Sequence, residues 1–314
     1  MKSIHHLFTV LFVLFLTGCK DTPKDTPKDT TTAEPQETVT ITHELGTVEV
    51  VKNPKQVVAL DYASLENLKV LGIAVAGIPK SHVPDYLQDY KTNEAIVDLG
   101  TMFEVNYEQL SALEPDVIFI SARMKSNYDE LSKIAPTVYL QTDTSDNLAS
   151  IEKNLLVFAD IFDKKKEATS IITDLKTRVQ TLHEQVTATD KKALMIMHNN
   201  GKFSAFGSDS RFGVLYKAFG FKEAVDHLDA ARHGQAVSNE FIQDINPDYL
   251  FILDRSAVVS KQATNTATIE NELIKQTQAY QNGKVVYLDP QAWYISGDGI
   301  LSFKIKIKEV SDHL

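Results

Sequence analysis

Two stretches decide the fold: Tyr107-Glu108-Gln109-Leu110-Ser111-Ala112-Leu113-Glu114-Pro115-Asp116-Val117-Ile118-Phe119-Ile120, and Asn239-Glu240-Phe241-Ile242-Gln243-Asp244-Ile245-Asn246-Pro247-Asp248-Tyr249-Leu250-Phe251-Ile252. Each reads as a short helix, an x-Pro-Asp turn and a buried strand. Proline cannot continue a helix, and a short unbroken apolar run suits a strand covered on both faces. The repetition predicts two similar lobes, although convergence on ordinary turn chemistry gives the same phrase.

Outward from the first stretch, Val57-Val58-Ala59-Leu60 reads as a buried strand, residues 64–71 as a helix stopped at Gly72, and residues 75–78 as the start of the next strand. Strands and helices alternating at these lengths are βα units on a parallel sheet. Between the two stretches, Leu155, Leu156, Ala159, Ile161, Phe162, Ala168, Ile171, Ile172, Leu175, Val179 and Leu182 recur every three or four residues without proline or glycine. This spacing predicts long helix with a break near Asp163; two helices inside one domain would give the same period. The fold class is therefore α/β and bilobed. Its lobes span residues 39–149 and 189–314, and a helical backbone over residues 150–188 joins them.

The N-terminus bounds the location. Residues 7–16 are apolar except for Thr9 behind Met1-Lys2, too short to span a bilayer as a mature helix, and end in Leu16-Thr17-Gly18-Cys19. Residues 1–18 read as a signal peptide and Cys19 as a lipobox cysteine alkylated by diacylglycerol, with a plain signal and a chance cysteine as the alternative. Residues 19–38, with KDTP twice and then KDTT, form a tether that cannot build a core. The expected place is a membrane surface outside the cytoplasm: the periplasm in a Gram-negative cell, the outer face of the cytoplasmic membrane in a Gram-positive one. Cys19 is the single cysteine, so no disulfide is available, and a net charge of −10 disfavours nucleic acid.

Ala231-Arg232-His233-Gly234-Gln235, the run from Pro247 to Asp254-Arg255, Tyr287-Leu288-Asp289-Pro290-Gln291-Ala292-Trp293-Tyr294 and Ser121-Ala122-Arg123 carry a resemblance. From about residue 39 onward the chain resembles the periplasmic-binding lipoproteins that deliver ferric siderophores to ABC importers, specifically the catecholate subgroup. The resemblance implies a monomer with two lobes on a rigid helical backbone, a ligand held in the cleft with little closure, and no bond made or broken. It implies a permease with a cytoplasmic ATPase as partner. No intrinsic cofactor is implied, and Fe(III) enters only as part of the siderophore complex.

A ferric catecholate complex carries about one to three negative charges, which a planar guanidinium compensates with directional donors better than an ammonium does. The chain has five arginines against twenty-seven lysines. The family pattern points to Arg123, Arg211 and Arg255 as the anion-binding residues, the first and last just beyond strand ends where α/β sheets bind ligands. Lys125 is a further ligand contact, with Arg232 and Trp293 weaker cases. The match also makes His233 and Tyr294 iron ligands, completing six-coordination where two catechols supply only four oxygens. Glu66 and Glu223 are the expected docking carboxylates for the permease, one on each lobe.

Two other readings remain. Haem could take His233 and Tyr294 as axial ligands, whereas a naked cation would be repelled by the arginines. A lipid-anchored hydrolase could use His198, Asp209 and Ser210, but no Gly-x-Ser-x-Gly elbow, dinucleotide fingerprint or Walker sequence supports catalysis.

Overall fold

The computed structural model describes residues 36–228, 233–260 and 264–314. Cys19, most of the tether and Arg232 lie outside them. None of the described helices is long and apolar enough to cross a membrane. Residues 36–314 form one compact unit, which opens with a hairpin of β1 (Thr38–His43) and β2 (Gly46–Val51).

The first sheet contains β3 (Val57–Ala59), β4 (Gly77–Ile78), β5 (Val97–Asp98), β6 (Val117–Ile120) and β7 (Thr137–Tyr139). It is parallel throughout, in the order β5-β4-β3-β6-β7. All residues of β3, β6 and β7 are buried, as strands covered on both faces must be. The chain runs outward from β3 in one direction and from β6 in the other, so the crevice for a ligand lies beyond the carboxyl ends of those two strands.

The second sheet contains β8 (Lys192–Asn199), β9 (Lys202–Phe206), β10 (Lys222–Glu223), β11 (Gln235–Val237), β12 (Tyr249–Asp254) and β13 (Val285–Tyr287). Its order is β11-β9-β8-β12-β13, with β10 also pairing β8. The β8-β12-β13 core is parallel, and β9 and β11 add an antiparallel edge.

The repeated phrase holds in both lobes. Helices Tyr107–Ala112 and Asn239–Ile245 precede β6 and β12. Glu114 and Asn246, each just before the proline, take left-handed φ of 48° and 49° and so end their helices. The aspartates that follow then register the sheets. Asp116 accepts from the amides of Lys55 and Gln56 at 2.7 and 2.8 Å, and Asp248 from the amide of Lys192 at 3.0 Å, each holding the start of the neighbouring strand.

The helical stretch over residues 150–188 carries the break predicted near Asp163 and consists of two helices, Asn147–Ile161 and Lys165–Thr187. They part at Asp163, whose φ is 54° and whose carboxylate accepts from Lys52 and Asn53, each at 2.8 Å. The C-terminal helix Ile300–Asp312, assigned from sequence to the second lobe alone, touches both. Phe303 packs on Phe219 with centroids 5.9 Å apart. The amide of Ile300 donates at 3.2 Å to Asn67 on the first-lobe helix Tyr62–Val70.

Candidate binding site

Between the carboxyl ends of the two sheets lies a cleft of about 420 Å³ whose lining includes Asp61, Arg123, Gln141, Asn154, Arg211 and Tyr294. Two arginines of this lining, Arg123 and Arg211, and a third outside it, Arg255, converge from different elements on one lining residue, Tyr294. Arg123, beyond β6, donates from Nη2 to the Tyr294 carbonyl at 2.7 Å and from Nη1 to the Ile295 carbonyl at 2.9 Å. Arg211, beyond β9, donates to the Tyr294 carbonyl at 3.3 Å, and its Cζ lies 4.6 Å from the Tyr294 ring centroid. Arg255, at the end of β12, donates from Nε to the Tyr294 hydroxyl at 2.8 Å and from Nη1 to Asn199 at 3.1 Å.

Tyr294 belongs to Gln291–Ser296, which winds as a π-helical turn. Such turns are uncommon and need outside support. Gln291 exchanges hydrogen bonds with Asp85 of the first lobe at 2.6 and 2.9 Å. The indole of the single tryptophan, Trp293, donates to Glu309 at 2.7 Å. Ser296 donates to Glu66. The turn on which the arginines converge is therefore held from both lobes.

Asp61 caps the helix Tyr62–Val70, accepting from the Ser64 amide at 2.9 Å and hydroxyl at 2.8 Å. Burial pushes its carboxyl up to about 6, against the opposing pull of the Ser64 bonds and of Arg123. Lys306 and Asp298 form a buried pair at 2.6 Å in the lining, with Lys306 also donating to the Gly297 carbonyl at 2.8 Å.

The other expected site residues divide. His233 is exposed in the turn before β11 and is not among the residues lining the cleft. Lys125 donates to Glu44 and stands 5.8 Å over the Tyr139 ring; it too is absent from the lining. Glu223 accepts from the Ser208 amide at 2.7 Å and hydroxyl at 2.9 Å, tying down the loop that carries Arg211.

Glu66 corrects the expectation of an exposed docking carboxylate. It is 0% exposed and accepts from Tyr86 at 2.9 Å, from the Ser302 amide at 2.7 Å and hydroxyl at 2.9 Å, and from Ser296. A carboxylate sealed beneath the C-terminal helix cannot meet a partner. Burial raises its pKa, and these bonds oppose the rise.

The imagined hydrolase triad is not assembled, because each member is engaged elsewhere. His198 pairs with Asp254 at 3.0 Å through Nδ1 and accepts the Gly201 amide on Nε2. Asp209 pairs with Lys217, and Ser210 donates to the Gly207 carbonyl at 2.6 Å. Sequence reading also missed Phe103. Its ring is 69% exposed and lies 5.9 Å from the Arg123 guanidinium, in a loop whose sequence carries no turn or motif pointing to a site.

A family model described as periplasmic binding protein matches residues 57–292. The chain is 39% identical over 284 residues to the petrobactin-binding protein YclQ of Bacillus subtilis, covering 89% of each chain. It is 36% identical over 301 residues to the ferric-anguibactin-binding protein FatB of Vibrio anguillarum, covering 94% of this chain and 92% of that one. The crystal structure of YclQ superposes with a TM-score of 0.86 at 38% identity, over 88% of this chain and 99% of the other. The periplasmic catecholate-siderophore binding protein VctP of Vibrio cholerae does so with a TM-score of 0.84 at 33% identity, over 88% and 100%. These relatives are named as binding proteins rather than enzymes, and together with two α/β lobes facing a shared cleft they fix the assignment: the chain belongs to the periplasmic binding protein family.

Proposed function

We propose that this protein is the extracytoplasmic substrate-binding component of an ABC importer and captures a ferric catecholate siderophore in the cleft between its lobes. The observation that carries this reading is the convergence of Arg123, Arg211 and Arg255 on Tyr294. Three guanidinium groups at one spot repel a bare metal ion and suit a delocalised anion with several oxygen acceptors. Sequence relatives named for siderophores support the cargo class. Asp61, Ser64, Asn67, Gln141 and Asn154 add polar groups to a lining that also holds Leu140 and Trp293, a mixture that suits a chelate carrying both oxygens and aromatic rings. Lipidation of Cys19 would hold the protein at the membrane, and a permease with its ATPase would receive the cargo.

Within this reading, the arginines neutralise the anion and Tyr294 presents its hydroxyl to the chelate. Completion of the iron shell by His233 and Tyr294 together is the finer form, and it requires the turn before β11 to reach over the cleft.

Titration with a ferric bis-catecholate and a ferric tris-catecholate tests both levels, with Trp293 quenching and the ligand-to-metal absorption band as readouts. Each arginine changed to Ala is expected to weaken binding by about 10- to 100-fold, the worth of a charge-assisted hydrogen bond. A bis-catecholate band shift abolished by Tyr294→Phe and His233→Ala supports ligation by both residues. Tight binding with an unshifted band leaves recognition to the arginines alone, and binding of neither complex sinks the proposal.

A further inference from the structure

Phe103 stands out because nothing in the fold needs it where it is. Of the described large apolar side chains only Phe103 and Leu156 are exposed, at 69% and 36%. An exposed phenylalanine forgoes roughly 1.5–3 kcal/mol of burial, yet its loop is built to hold it out. Gly100 has φ of 93°, and a Cβ there would meet the Glu104 carbonyl at 2.7 Å. The Thr101 amide donates to that carbonyl at 3.0 Å, and the Thr101 hydroxyl accepts the amides of Phe103 and Glu104 at 3.0 and 2.9 Å. Met102 is buried and roots the turn. The ring is thus presented on a braced turn; like Lys125 it is not among the residues lining the cleft, but it stands 5.9 Å from the guanidinium of cleft-lining Arg123, at the mouth of the cleft.

We propose that Phe103 is the aromatic wall of the binding site, on which an aromatic ring of the bound chelate stacks while its oxygens engage Arg123. This deepens the proposed function and rests on it. Aromatic rings pair with centroids about 4.5–7 Å apart in offset or edge-to-face arrangements, and the guanidinium that would hold the catechol oxygens lies 5.9 Å from the Phe103 ring. The braced turn fixes the backbone of Phe103 before the ligand arrives, so only side-chain rotamer freedom is lost on contact.

The test is calorimetric titration of the full chain with a ferric bis-catecholate, comparing wild type with Phe103→Ala, Phe103→Leu and Phe103→Trp, and with urea midpoints confirming that each variant is folded. The expected result is a loss of about 3- to 10-fold for Ala, in line with an aromatic pair. Leu should lose nearly as much despite its apolar bulk, and Trp should retain full affinity. Ala within twofold of wild type overturns the assignment, as does Leu matching wild type, which would make the contact merely apolar. Unchanged affinity with reduced delivery to the permease also overturns it, assigning the ring to docking instead. If wild type binds no ferric catecholate, the functional reading falls and this inference with it; a variant series that fails while wild type binds removes this inference alone.

Discussion

Replacing Glu66 separates a buried structural clamp from a surface docking group. Glu66→Ala strips the acceptor from four donors: the Tyr86 hydroxyl, the Ser296 hydroxyl, and the Ser302 amide and hydroxyl. The Ser302 hydroxyl retains the Gly299 carbonyl at 3.1 Å, so three donors lose their partner. At about 1–3 kcal/mol for each unsatisfied buried donor, plus a cavity and less the relief of a buried charge, the expected loss is about 3–5 kcal/mol. Urea unfolding followed by Trp293 fluorescence measures it as a lowered midpoint at constant slope. In Glu66→Gln the amide oxygen serves Ser302 while the amide nitrogen faces the Tyr86 and Ser296 hydroxyls, which rotate to accept. Its loss should stay below about 1.5 kcal/mol. An alanine variant losing under about 1 kcal/mol, or a glutamine variant as damaged as alanine, would refute the clamp.

Two further outcomes follow from the same region. The carboxyl of Asp61 is raised from 3.8 to about 6 in the folded state, so the folded protein binds a proton that the unfolded chain has already released. Its contribution to stability is complete below about pH 4 and is lost as pH rises through about 6, a change of about 3 kcal/mol in all. Asp61→Asn, which keeps the helix cap, should flatten that part of the stability–pH curve, and an unchanged curve would contradict the assignment. Gly299→Ala would place a Cβ 2.3 Å from Glu66 Oε2 and 2.8 Å from Glu66 Cβ. It should cost about 1–3 kcal/mol in thermal or urea unfolding as an overpacked contact, and a neutral variant would show that the helix start can shift.

The strand pattern was legible because β3, β6 and β12 are buried on both faces, which leaves an apolar run in the chain itself. The x-Pro-Asp phrase was legible for a similar reason, since its left-handed residue and proline act within a few positions of one another; what its aspartate holds, an amide 56 to 61 positions away, was not. The positions of Arg123 and Arg255 just beyond β6 and β12 could be read because strand ends can be located from the strands. Glu66 could not be read. Its partners Ser296 and Ser302 lie 230 and 236 positions away, and a helix pattern does not say what covers it. The placement of Lys125 depends likewise on Glu44 in the distant first hairpin. Phe103 escaped because exposure of an aromatic is decided by loop geometry, which residue type does not encode.

The C-terminal helix sets an order of events. The amides at its start are held by Glu66 and Asn67 in the first lobe, so the half of the molecule made first is completed by residues 233 and 236 positions further on. Until Ile300–Asp312 arrives, the buried carboxylate of Glu66 stays open to water and the Tyr294 turn lacks one of its anchors. Contacts this far apart in sequence slow folding, and removing Ile300–Asp312 would take away the partners that this helix gives to Glu66, Asn67 and the Trp293 indole.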